Sequence, residues 1–111
     1  MTQELFASGI SVDALFCCND LLALGSLRAL AEAGLRVPQD VAVIGIDDIE
    51  EGRYVSPSLT TISPDKQAIA SEAVRLLASR IQQQRTPGSE THEPDRHDVE
   101  TPFELIVRES T

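Results

Sequence analysis

The chain has 111 residues, 41% hydrophobic but only 4% aromatic, so it is the size of one ordinary domain with a mostly aliphatic core. Eighteen acids against nine bases give a formal net charge of -9, and no cluster of Lys and Arg supplies the footprint that phosphate contact needs, so this segment is not expected to touch DNA. Met1-Thr2-Gln3-Glu4 lacks the basic start and apolar stretch of an export signal, and no run of about 18 apolar residues occurs for a membrane span, so a soluble, cytoplasmic chain is expected.

Thr2 to Ser8 reads as the tail of a helix, with Leu5 and Phe6 apolar and Gly9 as a left-handed cap. Ala14-Leu15-Phe16-Cys17-Cys18 is a short continuous apolar run of the buried-strand kind, closing on Asn19-Asp20. Alternation along a strand sends the Cys17 and Cys18 side chains to opposite faces, which predicts two buried free thiols in a reducing compartment rather than a mutual disulfide.

From Leu21 to Ala33, Leu24, Leu27, Leu30 and Ala31 recur at helical spacing. Asn19 or Asp20 supplies an N-cap, and Gly34 with Leu35 a C-cap and its hydrophobic contact. Pro38-Gln39-Asp40 then turns the chain into Val41 to Ile46. That β-branched run without polar alternation predicts a strand buried on both faces of a parallel sheet. A strand, helix, strand unit of this kind crosses over right-handedly, so Asn19-Asp20 and Asp47-Asp48 lie at one end of the sheet. Ligands of open α/β sheets sit there, beyond the carboxyl ends of the strands, which makes Asp47 the first candidate for a binding residue. The plainer role for Asp47 is a cap on nearby backbone N–H groups. Asp20 and Asp48, each next to a candidate, are expected to be structural.

Ile49 to Ser58 carries Gly52 and Pro57 without a period and reads as a surface loop leading into a short strand, Leu59-Thr60-Thr61-Ile62. Ser63 suits an N-cap and Pro64 a first helical position. Ile69, Ala73, Leu76, Leu77 and Ile81 then mark the apolar stripe of a helix to about Gln84, with no obvious sheet in this chain to cover it. Arg85 to Asp98 is a polar loop, and Phe103, Leu105 and Val107 alternate as a final strand that Pro102 can only introduce or flank. His92 and His97 have no ligand spacing with the cysteines, and no Ser/His arrangement supports a nucleophile. No metal, no cofactor and no enzymatic chemistry are therefore expected. A Mg²⁺ site on Asp47-Asp48, serving an enzyme or a phosphoacceptor, would need further partners that the sequence does not offer.

One series of residues goes further. Asn19-Asp20, Ala23, Gly25, Ala29-Leu30, Gly34, Val37-Pro38, Asp40-Val41, Gly45, Asp47-Asp48, Pro57-Ser58-Leu59-Thr60-Thr61-Ile62 and Leu105-Ile106-Val107-Arg108-Glu109-Ser110-Thr111 stand in an order and spacing that resembles the C-terminal part of the LacI/GalR bacterial transcription regulators. The resemblance covers nearly the whole chain. It implies an α/β fold, a parallel sheet with flanking helices, as a fragment of a two-lobed periplasmic-binding-protein-like (type I) domain. Residues 1–62 would be the second half of the C-terminal lobe, 63–84 a hinge crossing at Ser63 and Pro64 with a helix of the N-terminal lobe, 85–98 a polar loop, and 99–111 the returning terminal strand. By the same resemblance Asp47 and Asn19 contact a small-molecule effector, a sugar by first choice, and Leu24, Tyr54 and Val55 belong to a homodimer interface. Lys66 stands where some members carry an aromatic ring on the effector, a stacking contact that lysine does not make.

Operator DNA would be reached only through an N-terminal helix-turn-helix that this chain lacks. A solute-binding protein of a sugar transport system shares the fold, but the absent export signal and the free thiols speak against it. In a mobility-shift titration of the chain at low salt, where electrostatic binding is strongest, no retarded complex is expected; salt-sensitive micromolar binding would contradict the charge argument.

Overall fold

In a computed structural model the described residues are 11–84 and 99–111; the helix expected before Gly9 and the polar loop with His92 and His97 lie outside them. The elements in order are β1 (Ala14–Phe16), α1 (Asp20–Glu32), β2 (Ala42–Ile46), a 3-10 turn (Glu50–Arg53), β3 (Thr60–Pro64), α2 (Lys66–Gln84) and β4 (Phe103–Ile106). One sheet carries the four strands in the order β1-β2-β3-β4. β1, β2 and β3 are parallel and β4 runs antiparallel to β3, so the sheet is mixed where a parallel one was expected. The chain divides into two compact units, Met1–Pro64 with Phe103–Thr111, and Asp65–Pro102.

The first unit is built around α1. Asn19 is extended and its side chain accepts from the Leu22 N–H at 2.8 Å, which satisfies one of the orphan donors of the first turn. At the other end Gly34 has φ +75°, with its N–H on the Ala31 carbonyl at 3.1 Å and the Leu35 N–H on the Leu30 carbonyl at 3.0 Å, the paired bonds of a Schellman cap. Both ends thus follow the sequence reading, but the buried stripe does not. Ala23, Ser26, Leu27 and Leu30 face inward, Leu24 is only half-buried and Ala31 is exposed. Close packing on β2 contributes at the first turns: a Cβ built on Gly45 would stand 3.2 Å from Ala23 Cβ and 2.1 Å from Asp20 Oδ1, so a large side chain has no room at position 23, whereas Leu27 and Leu30 fit further along.

Val41, Val43 and Leu59 complete the core with Ala23, Leu27 and Leu30. The β2 strand is therefore fully buried on one face only; Ala42, Ile44 and Ile46 on the other are intermediate. β1 is shorter than the apolar run that predicted it and lies at a sheet edge, with Phe16 exposed. Cys17 is half-buried, 3.6 Å from Ser26 Oγ, and Cys18 is exposed, so the thiols are free but not both buried. On β4 Ile106, opposite buried Thr61, is the partly covered residue. Phe103, Leu105 and Val107 are exposed, the reverse of the expected alternation, because the face covered by α1 is the one Thr61 shares.

Residues 108–111 fill the space where β3 has not yet begun to pair with β2. The Val43 N–H donates to the Ser110 carbonyl at 2.8 Å, Ser110 Oγ donates to the Val43 carbonyl at 2.6 Å, and the Thr60 N–H donates to Ser110 Oγ at 2.8 Å. Glu109 accepts from the Ser58 N–H and hydroxyl, which holds its carboxyl below the usual range.

In the second unit, α2 starts two residues later than Ser63-Pro64 predicted. Ser63 and Pro64 extend β3, opposite Glu104 and Phe103, and Asp65 caps the helix by accepting from the Ala68 N–H at 2.8 Å. Along α2, Ile69, Leu77 and Ile81 are exposed, against 8% for Leu27 and 0% for Leu30 in α1.

Two glycine substitutions should have opposite signs. Gly45→Ala drives a methyl into Asp20 and should cost about 3 kcal/mol or more from overpacking and lost charged hydrogen bonds. Gly25→Ala, on an open face of α1 with nothing within 4 Å of its Cβ, should gain up to about 1 kcal/mol of helix propensity. Urea denaturation of the two variants measures both.

Candidate functional site

Cys17 N–H donates to the Ile44 carbonyl at 2.8 Å and so carries the β1–β2 pairing past β1. Extending the register from Phe16 opposite Ile44 puts Asn19 level with Asp47, both just beyond the carboxyl ends of their strands. Both candidate binding residues thus lie past the carboxyl ends of adjacent strands, at the same end of the sheet. Asn19 uses its Oδ1 for the helix cap, which leaves its amide N–H groups as donors. Asp47 donates its backbone N–H to the Ile62 carbonyl at 2.9 Å, while its half-buried carboxylate accepts no hydrogen bond among the described residues. The capping role weighed for Asp47 is therefore not the one it has. The pair offers donors on one side and an ionised acceptor on the other, which suits hydroxyl groups.

The turn that presents Asp47 is strained. Asp47 has φ +119° and Asp48 φ +48°, conformations that cost a non-glycine residue roughly 1–3 kcal/mol each unless its surroundings impose them. Two sets of contacts impose them. Beneath the turn, Asp20, 1% exposed, accepts from the Ile49 N–H at 2.9 Å and from Thr61 Oγ1 at 2.6 Å, and Thr61 Oγ1 in turn receives the Asp48 N–H at 3.3 Å. On its other side the Asp48 carboxylate accepts from Arg108 Nη2 at 2.6 Å, Arg53 Nη2 at 3.2 Å and Ser63 Oγ at 3.4 Å. The Arg108 bond, with Arg53 adding to it, holds the Asp48 carboxyl below its ordinary range against the opposing effect of burial. Asp20 and Asp48 are thus structural, as expected from their positions beside the site.

Thr61 and Arg108 received no individual role from the sequence reading. Arg108 Nη1 also donates to the Leu59 carbonyl at 2.7 Å, and its backbone N–H to Thr60 Oγ1 at 2.8 Å. Their only signal was membership of the family series. Of the other candidates, Leu24 and Val55 line one open groove with Leu27, Arg28, Ala31 and Ser56, and Tyr54 is 78% exposed. Lys66 is exposed in the first turn of α2. Among the described residues no group of three His, Cys, Asp or Glu could hold a metal ion, and no helix is long and apolar enough to cross a membrane.

Because the Asp48 carboxyl is lowered in the folded state, its contribution is fully present above the unfolded carboxyl value of about 3.9 and is lost as pH falls through the lower folded value. The stability difference between wild type and Asp48→Asn should be flat from pH 7 to about 5 and shrink below about 3.9, as followed by denaturation across pH.

Comparison with known proteins bears on the family and the fold. The family model for the periplasmic binding protein-like domain matches residues 3–111. The HTH-type transcriptional repressor PurR of Haemophilus influenzae (strain Rd) is 45% identical over 110 residues, covering 99% of this chain and 30% of the repressor. The lac repressor dimer bound to operator and an anti-inducer superposes with a TM-score of 0.75 at 34% identity, over 99% of this chain and 35% of that one. A LacI-family transcriptional regulator from Arthrobacter sp. FB24 in complex with lactose gives 0.72 at 35%, over 99% and 39%. The chain thus spans about a third of the length of these proteins, all of which carry names of repressors or regulators rather than of transport proteins. The chain belongs to the periplasmic-binding-protein-like domain family, in the form that LacI/GalR regulators carry.

Proposed function

We propose that this chain senses a small-molecule effector, a sugar by first choice, for a DNA-binding transcription regulator. The observation that carries the reading is the free carboxylate of Asp47, held on a doubly strained turn at the end of β2 and level with the donor groups of Asn19. A residue kept in a costly conformation with its charge unpartnered is what a preorganised hydrogen-bond acceptor requires. Support also comes from the lactose bound to one structural relative and the operator bound to another. The operator would be read by a helix-turn-helix outside this chain, and Ser63 and Pro64 would serve as a hinge segment. Residues 1–62 would belong to one lobe, 63–84 to the crossing and the helix of the other, 85–98 to a connecting loop and 99–111 to the return. The exposed apolar stripe of α2 supports a second lobe as its cover. Leu24, Val55 and exposed Tyr54 would lie on the face that joins two copies.

The test is calorimetric titration of the protein with a sugar panel that includes lactose and cellobiose. Asp47→Ala should weaken the effector on the order of tenfold to a hundredfold, the value of charged hydrogen bonds worth about 1.5–3 kcal/mol, without lowering the melting temperature. Asn19→Ala should lose affinity and also about 1 kcal/mol of stability through the cap. Unchanged affinity in Asp47→Ala would move the site elsewhere.

A further inference from the structure

Asp48 is bonded to Thr61 through its backbone and to Arg53, Ser63 and Arg108 through its carboxylate. Its carboxylate holds Ser63, near the end of β3, and Arg108, just past β4, and these are the two strands by which the chain leaves the first unit at Pro64 and re-enters it at Phe103. The Asp48–Arg108 pair is only 14% exposed on each side, so it is weakly screened by solvent. The guanidinium fork also fixes the Leu59 carbonyl, which makes the pair a rigid brace between the start of β3, the end of β4 and the turn. Among the described residues the other bonds to the Asp48 carboxylate are longer, from Arg53 at 3.2 Å, a side chain that is 55% exposed, and from the Ser63 hydroxyl at 3.4 Å.

We propose that Asp48 and Arg108 are positioning residues for Asp47, setting the direction of its free carboxylate and making that direction depend on the β3–β4 strand pair. The inference rests on the reading of Asp47 as the ligand-facing group. Asp20 and Thr61 would anchor the turn to the fold, whereas Asp48 and Arg108 would aim it. A change in how β3 and β4 pair would then reach the binding carboxylate through one ion pair, with no contact to the ligand itself.

The experiment is amide hydrogen exchange by ¹⁵N NMR on the full chain, for wild type, Arg108→Met, Arg108→Lys and Asp48→Asn. The Asp47 amide, bonded to the Ile62 carbonyl, is read against the Leu30 amide in α1, each corrected for intrinsic exchange. Asp47 protection should fall about tenfold or more relative to Leu30 in Arg108→Met and Asp48→Asn. Arg108→Lys should recover part of it, since lysine keeps the charge but not the fork. Acidification of wild type through the Asp48 titration should reproduce the loss, and Arg108→Met should not respond to it. Equal loss at both amides, or unchanged Asp47 protection in every variant, would overturn the proposal. If Arg108→Met does not fold, Arg108→Lys, Asp48→Asn and the acid series decide. No ligand enters the measurement, so a failure here is separate from a failure of the effector reading, which the titration of Asp47→Ala reports.

Discussion

The buried carboxyl of Asp20 is the contact on which the first unit depends. It stands in the first turn of α1, where the helix dipole favours negative charge, and it takes a hydroxyl from β3 and an N–H from the turn after β2. A buried acid stripped of these partners would be costly, so Thr61, Ile49 and the space left by Gly45 are all tied to its presence. Helix, two strands and the turn that carries Asp47 therefore meet on one side chain. Its neighbour Asn19 caps the same helix, so the geometry of the candidate site and the docking of α1 are set together.

Neighbouring residues at the strand end have opposite tasks. Asp47 has no partner among the described residues, while Asp48 has three donors on its carboxylate. Two consecutive carboxylates in one turn would repel if both were free; pairing Asp48 with Arg108 and Arg53 offsets that repulsion. The openness of one carboxylate in this sense accompanies the satisfaction of the next.

What the sequence revealed was local chemistry. The caps of α1 and the place of Asp47 just past the end of β2 could be read because their determinants lie within a few residues of one another. The inward face of α1 could not, since Ala23 and Ser26 are chosen by how closely β2 approaches at Gly45, and a periodicity of large apolar residues favours Leu24 instead. Ser63-Pro64 carries a valid helix-start signal, yet the pairing of Pro64 with Phe103, a partner far along the chain, keeps it in β3 and passes the capping to Asp65. The role of Arg108 escapes the local reading for the same reason: its carboxylate partner is 60 positions away, and an arginine after an alternating strand looks like any solvated charge.

The plug formed by Ser110 has a consequence for the order in which the molecule is made. Val43 finds its partner 67 residues later, so the central strand leaves the ribosome long before the group that completes its pairing exists. Until then one polar edge of β2 stays open, a state exposed to mispairing with other nascent chains. High sequence separation of this kind slows closure, and the pairing of β2 at Val43 waits on Ser110 whatever forms first elsewhere in the unit.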